Sequence, residues 1–596
     1  MNTLIWVLVG VFAYSFIGFF LKSRGILPSS VRVQGPLTTL HTKRGRDFLD
    51  WLAGPKRFWR AWSNVGVGIT LVVMVGTFAL LVFQALTILQ NPPAPTQVNQ
   101  PQNFLVIPGV NDFLPLSVAP EIVFGLLVGL VVHEGGHGLL CRVEDIDIES
   151  MGLVFLTLIP VGAFVEPDED SQRAADRGGR TRMFAAGVTN NFAITVVAFA
   201  LLFGPVIGAI GVAPGMAVQG TFEGAPAAAA GIESGDRILG VANQSVSSET
   251  ELDAVLSSTD ARTVDVRIDS GDGPRTVAVE RSLVVVGSVG GNPANFTVSG
   301  DDEPIAVTAV NGTPVYTRAG LREATADTTF ARLSTSRGTV TVPVGAYITQ
   351  VADDGPLDEG GAPTNGSLII TEFGGERVTS SSELNAALDG TNPGGEVSIT
   401  AWRDGSMESY TVTLGENPRD GNGFLGVNIF PGTSGLLLTD FGAQSYPAGT
   451  YLTLLGGDGG SAPINIVDSP LGLVYVSLIL PLASVILGIP NFPGFTPAVM
   501  NFYVVEGPLA ALGSGVFILA NLLFWTAWIN LQLGLFNCIP GYPLDGGRIL
   551  RTGTEAIVSR LPVSRPHALV RTVTTSVGLV MLASLVLLIF GPTLLS

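Results

Sequence analysis

Six stretches of this 596-residue chain stay apolar for long enough to cross the hydrocarbon of a bilayer as helices. They are Leu4–Leu21, Val65–Leu89, Pro120–Leu140, Phe184–Val212, Leu509–Phe536 and Thr572–Leu595. The first lacks a basic start and a small-residue cleavage site, and Lys22 and Arg24 follow it, so it reads as a retained helix. Between the fourth and fifth the period changes. Short runs such as Thr263–Ile268 alternate apolar and polar residues between Gly and Asp turns, which predicts soluble β-rich modules. A repeat runs through them: Gly240–Val246 leads into Glu251–Leu256, and Thr371–Val378 leads into Glu383–Leu388. A third echo, Ala309–Val315 followed by Leu321, lies between. The apolar stretch Leu471–Pro490 carries Pro481 and Pro490, with Pro493 beyond, and a single crossing there would invert the later helices. It is expected to be re-entrant or interfacial.

Composition agrees with a polytopic membrane protein: 47% of residues are hydrophobic, 13% are charged, and mean hydropathy is +0.46. The net charge of −18 is concentrated, because residues 213–420 hold 29 acids and 12 arginines, a net −17. Lysine occurs only at Lys22, Lys43 and Lys56. An acidic, lysine-poor, water-facing region suits solvation in concentrated salt and resembles proteins of salt-loving archaea, and it disfavours binding to nucleic acid. The other 19 basic residues fall in 22–62, 142–182 and 546–571, which the positive-inside rule makes cytoplasmic. The loop Gln90–Ser117 has no Lys or Arg, and it and the acidic insert then face the other side. Within 41–62, Arg44, Arg46, Lys56, Arg57 and Arg60 alternate with Phe48, Trp51, Phe58, Trp59 and Trp62, the composition of an interfacial anchor. The two cysteines, Cys141 and Cys538, imply no disulfide framework and read as small apolar fillers.

The third apolar stretch contains His133-Glu134-Gly135-Gly136-His137. Positions four apart share a helix face, so both imidazoles can hold one metal ion with Glu134 beside it. Random placement of four histidines gives only about 0.02 such pairs, and ionisable groups at membrane depth mark functional sites. A catalytic zinc commonly takes three protein ligands and leaves a fourth position for water. The best further candidate is Asp545 in Asn537–Arg548, which approaches the same end of the bundle as His137. Taken alone, Asp545 reads more readily as a turn aspartate before two glycines. Gly135 and Gly136 cost helix propensity, about 1 kcal/mol each against alanine, and leave room for substrate or a neighbouring helix.

His133-Glu134-x-x-His137, Asn537-x-x-Pro540 and Leu544-Asp545-Gly546 together resemble the paired motifs of site-2 proteases, intramembrane zinc metalloproteases of peptidase family M50. The resemblance covers roughly 120–212 and 505–595. It implies one Zn²⁺ per chain held by His133, His137 and Asp545, with Glu134 as the catalytic acid and base. Ala186-Gly187-Val188-Thr189-Asn190-Asn191-Phe192 is similar to the family's Ala-Gly-Pro-x-x-Asn-Phe helix, with Val188 in place of proline, and Gly152–Val165 resembles a membrane-associated β-hairpin. A helical substrate must be unwound before cleavage, and Asn191, Asn537 and Pro540 are the expected substrate-binding residues. Gly224-Ala225-Pro226-Ala227 with Ser234-Gly235-Asp236 before the first repeat resembles PDZ domains of bacterial proteases.

The expected fold is therefore a polytopic α-helical membrane protein of about six transmembrane helices with a β-rich, PDZ-like extracytoplasmic insert. Its expected parts are two helices and a basic loop in 1–117, the zinc-helix half with its hairpin in 118–212, and tandem PDZ-like modules in 213–420. A linker with a re-entrant or interfacial segment fills 421–504, and the second half of the core fills 505–596. The expected partners are single-pass membrane protein substrates and, at the PDZ-like modules, peptide C-termini. A non-catalytic scaffold binding partners through those modules is the main rival, and intact Glu134 and Asp545 argue against it. A metal transporter would need polar residues across the full depth of a helix, whereas these motifs cluster at one depth.

Overall fold

The computed structural model describes residues 3–100, 103, 107–111, 113–157, 159–299, 302–418, 421–460 and 469–595. The chain divides into two compact units, one of Met1–Gly211, Gly449–Thr496 and Val505–Ser596, the other of Val212–Ala448 with Pro497–Val504.

The first unit opens with α1 (Thr3–Ser23), strands β1 (Val31–Gln34) and β2 (Leu37–His41), α2 (Arg44–Leu52) and α3 (Lys56–Gln90). Then come α4 (Ala119–Val143), β3 (Ile148–Leu156), β4 (Ile159–Pro167), α5 (Glu169–Ala174) and α6 (Arg177–Leu201). After the second unit the chain returns through α7 (Gly515–Asn537), α8 (Asp545–Val558) and α9 (Pro566–Leu595). Among the described residues five helices, α3, α4, α6, α7 and α9, are long and apolar enough to cross a membrane. The sixth expected span is α1, whose described side chains, Val9–Ser23, form a shorter apolar helix. Large side chains such as Val72 and Phe83 on α3 and Leu579 and Leu582 on α9 point outward, where only hydrocarbon can solvate them. The chain is a multi-pass membrane protein.

Helix α4 packs against both α6 and α7, which also pack against each other, and small residues set the spacing. A Cβ at Gly125 would lie 2.8 Å from the Trp525 carbonyl oxygen, and one at Gly136 would lie 2.9 Å from that of Ala186. Gly135 has nothing within 4 Å of its would-be Cβ. The two glycines of the motif thus divide the work expected of them: Gly136 admits a neighbouring helix and Gly135 leaves open space.

The hairpin expected at 152–165 is β3–β4, and β1–β2 extends it into an antiparallel sheet of order β1-β2-β3-β4, with Leu37 opposite Leu156 and His41 opposite Gly152. β4 is an outer edge. The broken stretch expected after 471 is a helix Pro470–Ile479, a 3₁₀ turn Leu480–Leu482 and a short helix Ala483–Ile486. The interruption falls at Pro481, which has no N–H to continue the helix.

The second unit holds three modules. Each contains a hairpin turn with two successive positive-φ residues, followed by a capped helix. The turns are Ala242-Asn243 (49°, 63°), Asn311-Gly312 (52°, 87°) and Gly374-Gly375 (63°, 84°). Such type I′ turns match the twist of the flanking strands. The helices are Glu249–Ser257, Arg318–Thr325 and Ser381–Asp389, capped by Ser248, Thr317 and Ser380. The weak third echo at Ala309–Val315 is therefore a full module.

The modules are nested rather than strung in tandem. Met216–Thr221 of the first pairs with Ala443–Ser445, Val284–Ser288 of the second with Leu436–Thr439, and Ala346–Val351 of the third with Val427–Ile429. The closing strands return in reverse order, so the expected boundary at Asp420 moves to Ala448. Each module has its own apolar core, around Ile238, Ile305 and Ile370 respectively. A buried ion cluster ties the first two: Asp440 accepts from Arg281 and, at 3.3 Å, from Arg318, which also pairs with Asp253.

A candidate metal centre

His133 and His137 sit one turn apart on the inner face of α4, 6% and 9% exposed. Asp545, 5% exposed, is the first residue of α8. The chain reverses between α7 and α8 so tightly that a Cβ at Gly546 would lie 2.4 Å from the Cys538 carbonyl oxygen. Only glycine after Asp545 permits that fold-back, which returns the carboxylate to α4.

His133 Nε2, His137 Nε2 and Asp545 Oδ2 form a triangle with every side 3.1 Å. Ligand atoms about 2.0–2.1 Å from a tetrahedral zinc ion lie about 3.3 Å apart, so the triangle matches one face of such a site. The hydrogen-bond partners outside the triangle fix what these atoms offer. His137 Nδ1 donates to the Met183 carbonyl at 2.7 Å, which leaves a lone pair on Nε2. His133 Nδ1 is 3.3 Å from the Asn191 carboxamide, whose other end, Oδ1, is buried without a partner. Turning that amide puts Oδ1 on His133 Nδ1–H and gives the second imidazole the same tautomer. Asp545 Oδ2 has no hydrogen-bond donor either. Three lone-pair atoms meeting in a buried space repel one another, and a cation between them removes the repulsion, so the residues fit the metal ion.

Glu134 follows His133 on α4, and its Oε2 accepts from the Val165 amide of β4 at 3.0 Å. Beside it lies an apolar cavity of about 500 Å³. Gly135 and Asn190 open onto this space, β4 forms one wall with Ala163 and Val165, and α2 forms another with Phe48, Leu49 and Leu52. The segment expected only to anchor at the interface thus also builds the chamber next to Glu134. Asn190 accepts from Trp62 Nε1 at 3.1 Å, which holds α3 to α6.

The expected substrate-binding residues are placed differently. Asn191 is fully buried behind His133 and does not line the cavity, and its neighbour Asn190 does. Asn537 donates to the Leu533 carbonyl of its own helix at 3.0 Å, and Pro540 lines a separate groove facing α9. A helical asparagine pair presents one member inward and the next about 100° around, a distinction that depends on knowing the helix phase. Gly187 escaped assignment although it stands in the motif with Asn191: a Cβ there would lie 2.7 Å from both His133 Cε1 and His137 Nε2. Cys141 and Cys538 are both buried and unpaired.

At the end of α4, Glu144 joins three helices. It accepts from Arg182 of α6 at 2.9 and 3.0 Å and from Arg60 of α3 at 3.1 Å. Burial pushes its carboxyl up, but the Arg182 and Arg60 guanidiniums outweigh this and hold it below the usual carboxylate range.

The chain is 25% identical over 212 residues to the zinc metalloprotease RasP of Oceanobacillus iheyensis, covering 36% of this chain and 44% of that protein. It is 50% identical over 48 residues to the putative zinc metalloprotease Rip3 of Mycobacterium tuberculosis, covering 8% of this chain and 12% of that one. Among solved structures, the PDZ domain of an SdrC-like protein of Listeria monocytogenes aligns at 24% identity over 14% of this chain and 86% of that chain, with a TM-score of 0.13. The chain spans less than half the length of the curated relatives it matches. Residues 121–585, which carry both motifs and the nested insert, match peptidase family M50, and the chain belongs to that family.

Proposed function

We propose that this protein is an intramembrane zinc metalloprotease that cuts transmembrane segments of membrane proteins. The observation that carries the reading is the 3.1 Å triangle of His133, His137 and Asp545 with Glu134 on the same helix. These three residues would hold one zinc ion per chain, which would supply Lewis acidity to the attacking water and the scissile carbonyl. Glu134 takes the proton of the attacking water and delivers it to the leaving amine. The Val165 amide steadies its carboxylate meanwhile. Asn191 and the Met183 carbonyl orient the imidazoles, and Gly187 makes space for them.

A substrate helix hides its amides in its own hydrogen bonds and must be extended first. The outer edge of β4 supplies main-chain groups to such a strand, and the apolar cavity beside Glu134 takes its side chains. Single-pass membrane proteins are the substrate class. The distribution of basic residues supports a metal centre near the cytoplasmic face and acidic modules outside, with their edge strands as the docking place for peptide C-termini. The high acidity of those modules suits a salt-rich medium, and nucleic acid is not a partner.

The test is Glu134→Gln in membranes carrying a tagged single-pass substrate. Cleavage should fall about 10²–10⁴-fold, the contribution of a general acid and base. A variant as active as wild type sinks the protease reading and leaves the scaffold.

A further inference from the structure

A second cavity, of about 830 Å³, shares no lining residue with the one beside Glu134. One wall is α9, and the other is the turn itself, from Ile539 to Leu544. The cavity is divided by chemistry along its length. At one end stand Arg551, His567 and Arg571; toward the other the lining is Leu81, Leu579, Leu582 and Leu585. Arg571 is the last charged residue of the chain, and everything after it on α9 is uncharged. Arg571 to Leu585 spans about 21 Å at the helical rise, close to one leaflet of a bilayer core about 30 Å thick plus its interface.

The charges at the mouth do not cancel. Glu555 also lines the cavity, but its carboxylate is engaged by Arg551 at 3.2 Å and by Arg180 at 3.5 Å. That cluster is net positive before Arg571 is added, and Arg571 takes part in none of the ion pairs among the described residues. Thr575 adds a hydroxyl one turn further down, whereas that of Thr574 donates to the Val570 carbonyl of its own helix at 2.9 Å. A cationic, donor-rich mouth above an apolar trough one leaflet long is complementary to a lipid with an anionic headgroup.

We propose that this groove binds an anionic phospholipid, its phosphate at Arg571 and Arg551 and its chain along Leu579, Leu582 and Leu585. The bound lipid packs against Pro540, Tyr542 and Pro543, in the turn that delivers Asp545. It therefore supports that turn. The inference concerns binding alone and stands whether or not the protein is a protease.

The test uses the full-length protein, delipidated in a non-ionic detergent. Its thermal midpoint is followed while phosphatidylglycerol, phosphatidylcholine or inorganic phosphate is added. Phosphatidylglycerol should raise the midpoint saturably, and phosphatidylcholine much less. Arg571→Gln should weaken the apparent affinity for phosphatidylglycerol about fivefold, the contribution of one basic side chain at an anionic surface. Leu582→Trp, which fills the trough and leaves the charges intact, should weaken it as well. Equal response to both lipids, or wild-type affinity in both variants, overturns the proposal. So does a full shift with inorganic phosphate that Leu582→Trp leaves unchanged, since the ligand would then be the free anion.

Discussion

Gly187 of α6 lies against His137 of α4 so closely that a Cβ on the glycine would stand 2.7 Å from the Nε2 atom that faces Asp545. The same carbon would stand 2.7 Å from His133 Cε1. No side chain fits between α6 and the two imidazoles, so the helix that orients them must be bare at this point.

Gly187→Ala should therefore push the imidazoles apart. Overpacking of this kind costs about 1–3 kcal/mol. The expected result is a folded protein with reduced zinc content and at least about tenfold lower cleavage, since this much strain falls on the ligands themselves. Zinc measured per chain by elemental analysis, beside the thermal midpoint, checks it. Unchanged zinc and activity would show that the helices part without disturbing the site.

Asn191→Leu removes the group beside His133 Nδ1 while keeping similar bulk. Loss of such an outer partner lowers metal affinity about 10–100-fold. Competition with a chelator should show that loss, and added zinc should restore cleavage. A variant that loses activity at full zinc occupancy would place Asn191 in substrate binding instead.

Glu144 gives the bundle an acid limit. Its folded pKa is depressed, so its contribution to stability is present above the unfolded value and disappears as pH falls through the folded value. The thermal midpoint of the purified protein should fall on acidification below the ordinary glutamate range. Glu144→Gln should remove that part of the slope and cost about 1.5–3 kcal/mol at neutral pH, the worth of hydrogen bonds to a charged group. An unchanged slope would refute it.

Asp440→Ala should loosen the first two nested modules from each other. It leaves Arg281 buried without its carboxylate, a loss of about 3–5 kcal/mol for a broken buried pair. Limited proteolysis of the full-length protein should then cut within 216–445 faster than in wild type, while zinc content holds. Wild-type resistance would mean that Arg281 is satisfied by the Leu256 and Thr259 carbonyls alone.

The two halves of the site are legible in the sequence because their chemistry is rare. An imidazole pair at helical spacing inside an apolar run has few explanations, and the family resemblance supplied Asp545 from more than 400 residues away. The β-hairpin, the broken segment at Pro481 and two of the three modules could be read from period and turn residues. The third module showed only faintly, since its turn asparagine and following leucine are a short signal against a diverged strand pattern.

What the linear chain determined was residue type and local period: which stretches are apolar, where the turns fall, and which side chains can hold a metal ion. Helix phase and long-range closure were left to tertiary packing. A rotation of about 100° separates Asn190 in the cavity from Asn191 behind His133, and no pattern of single residues encodes which faces inward. The nesting of the modules likewise rests on strands far apart in sequence, Val218 pairing with Ser445, 227 residues on. Such pairing is decided by backbone hydrogen bonds, which are alike for every residue and leave almost no mark on the sequence.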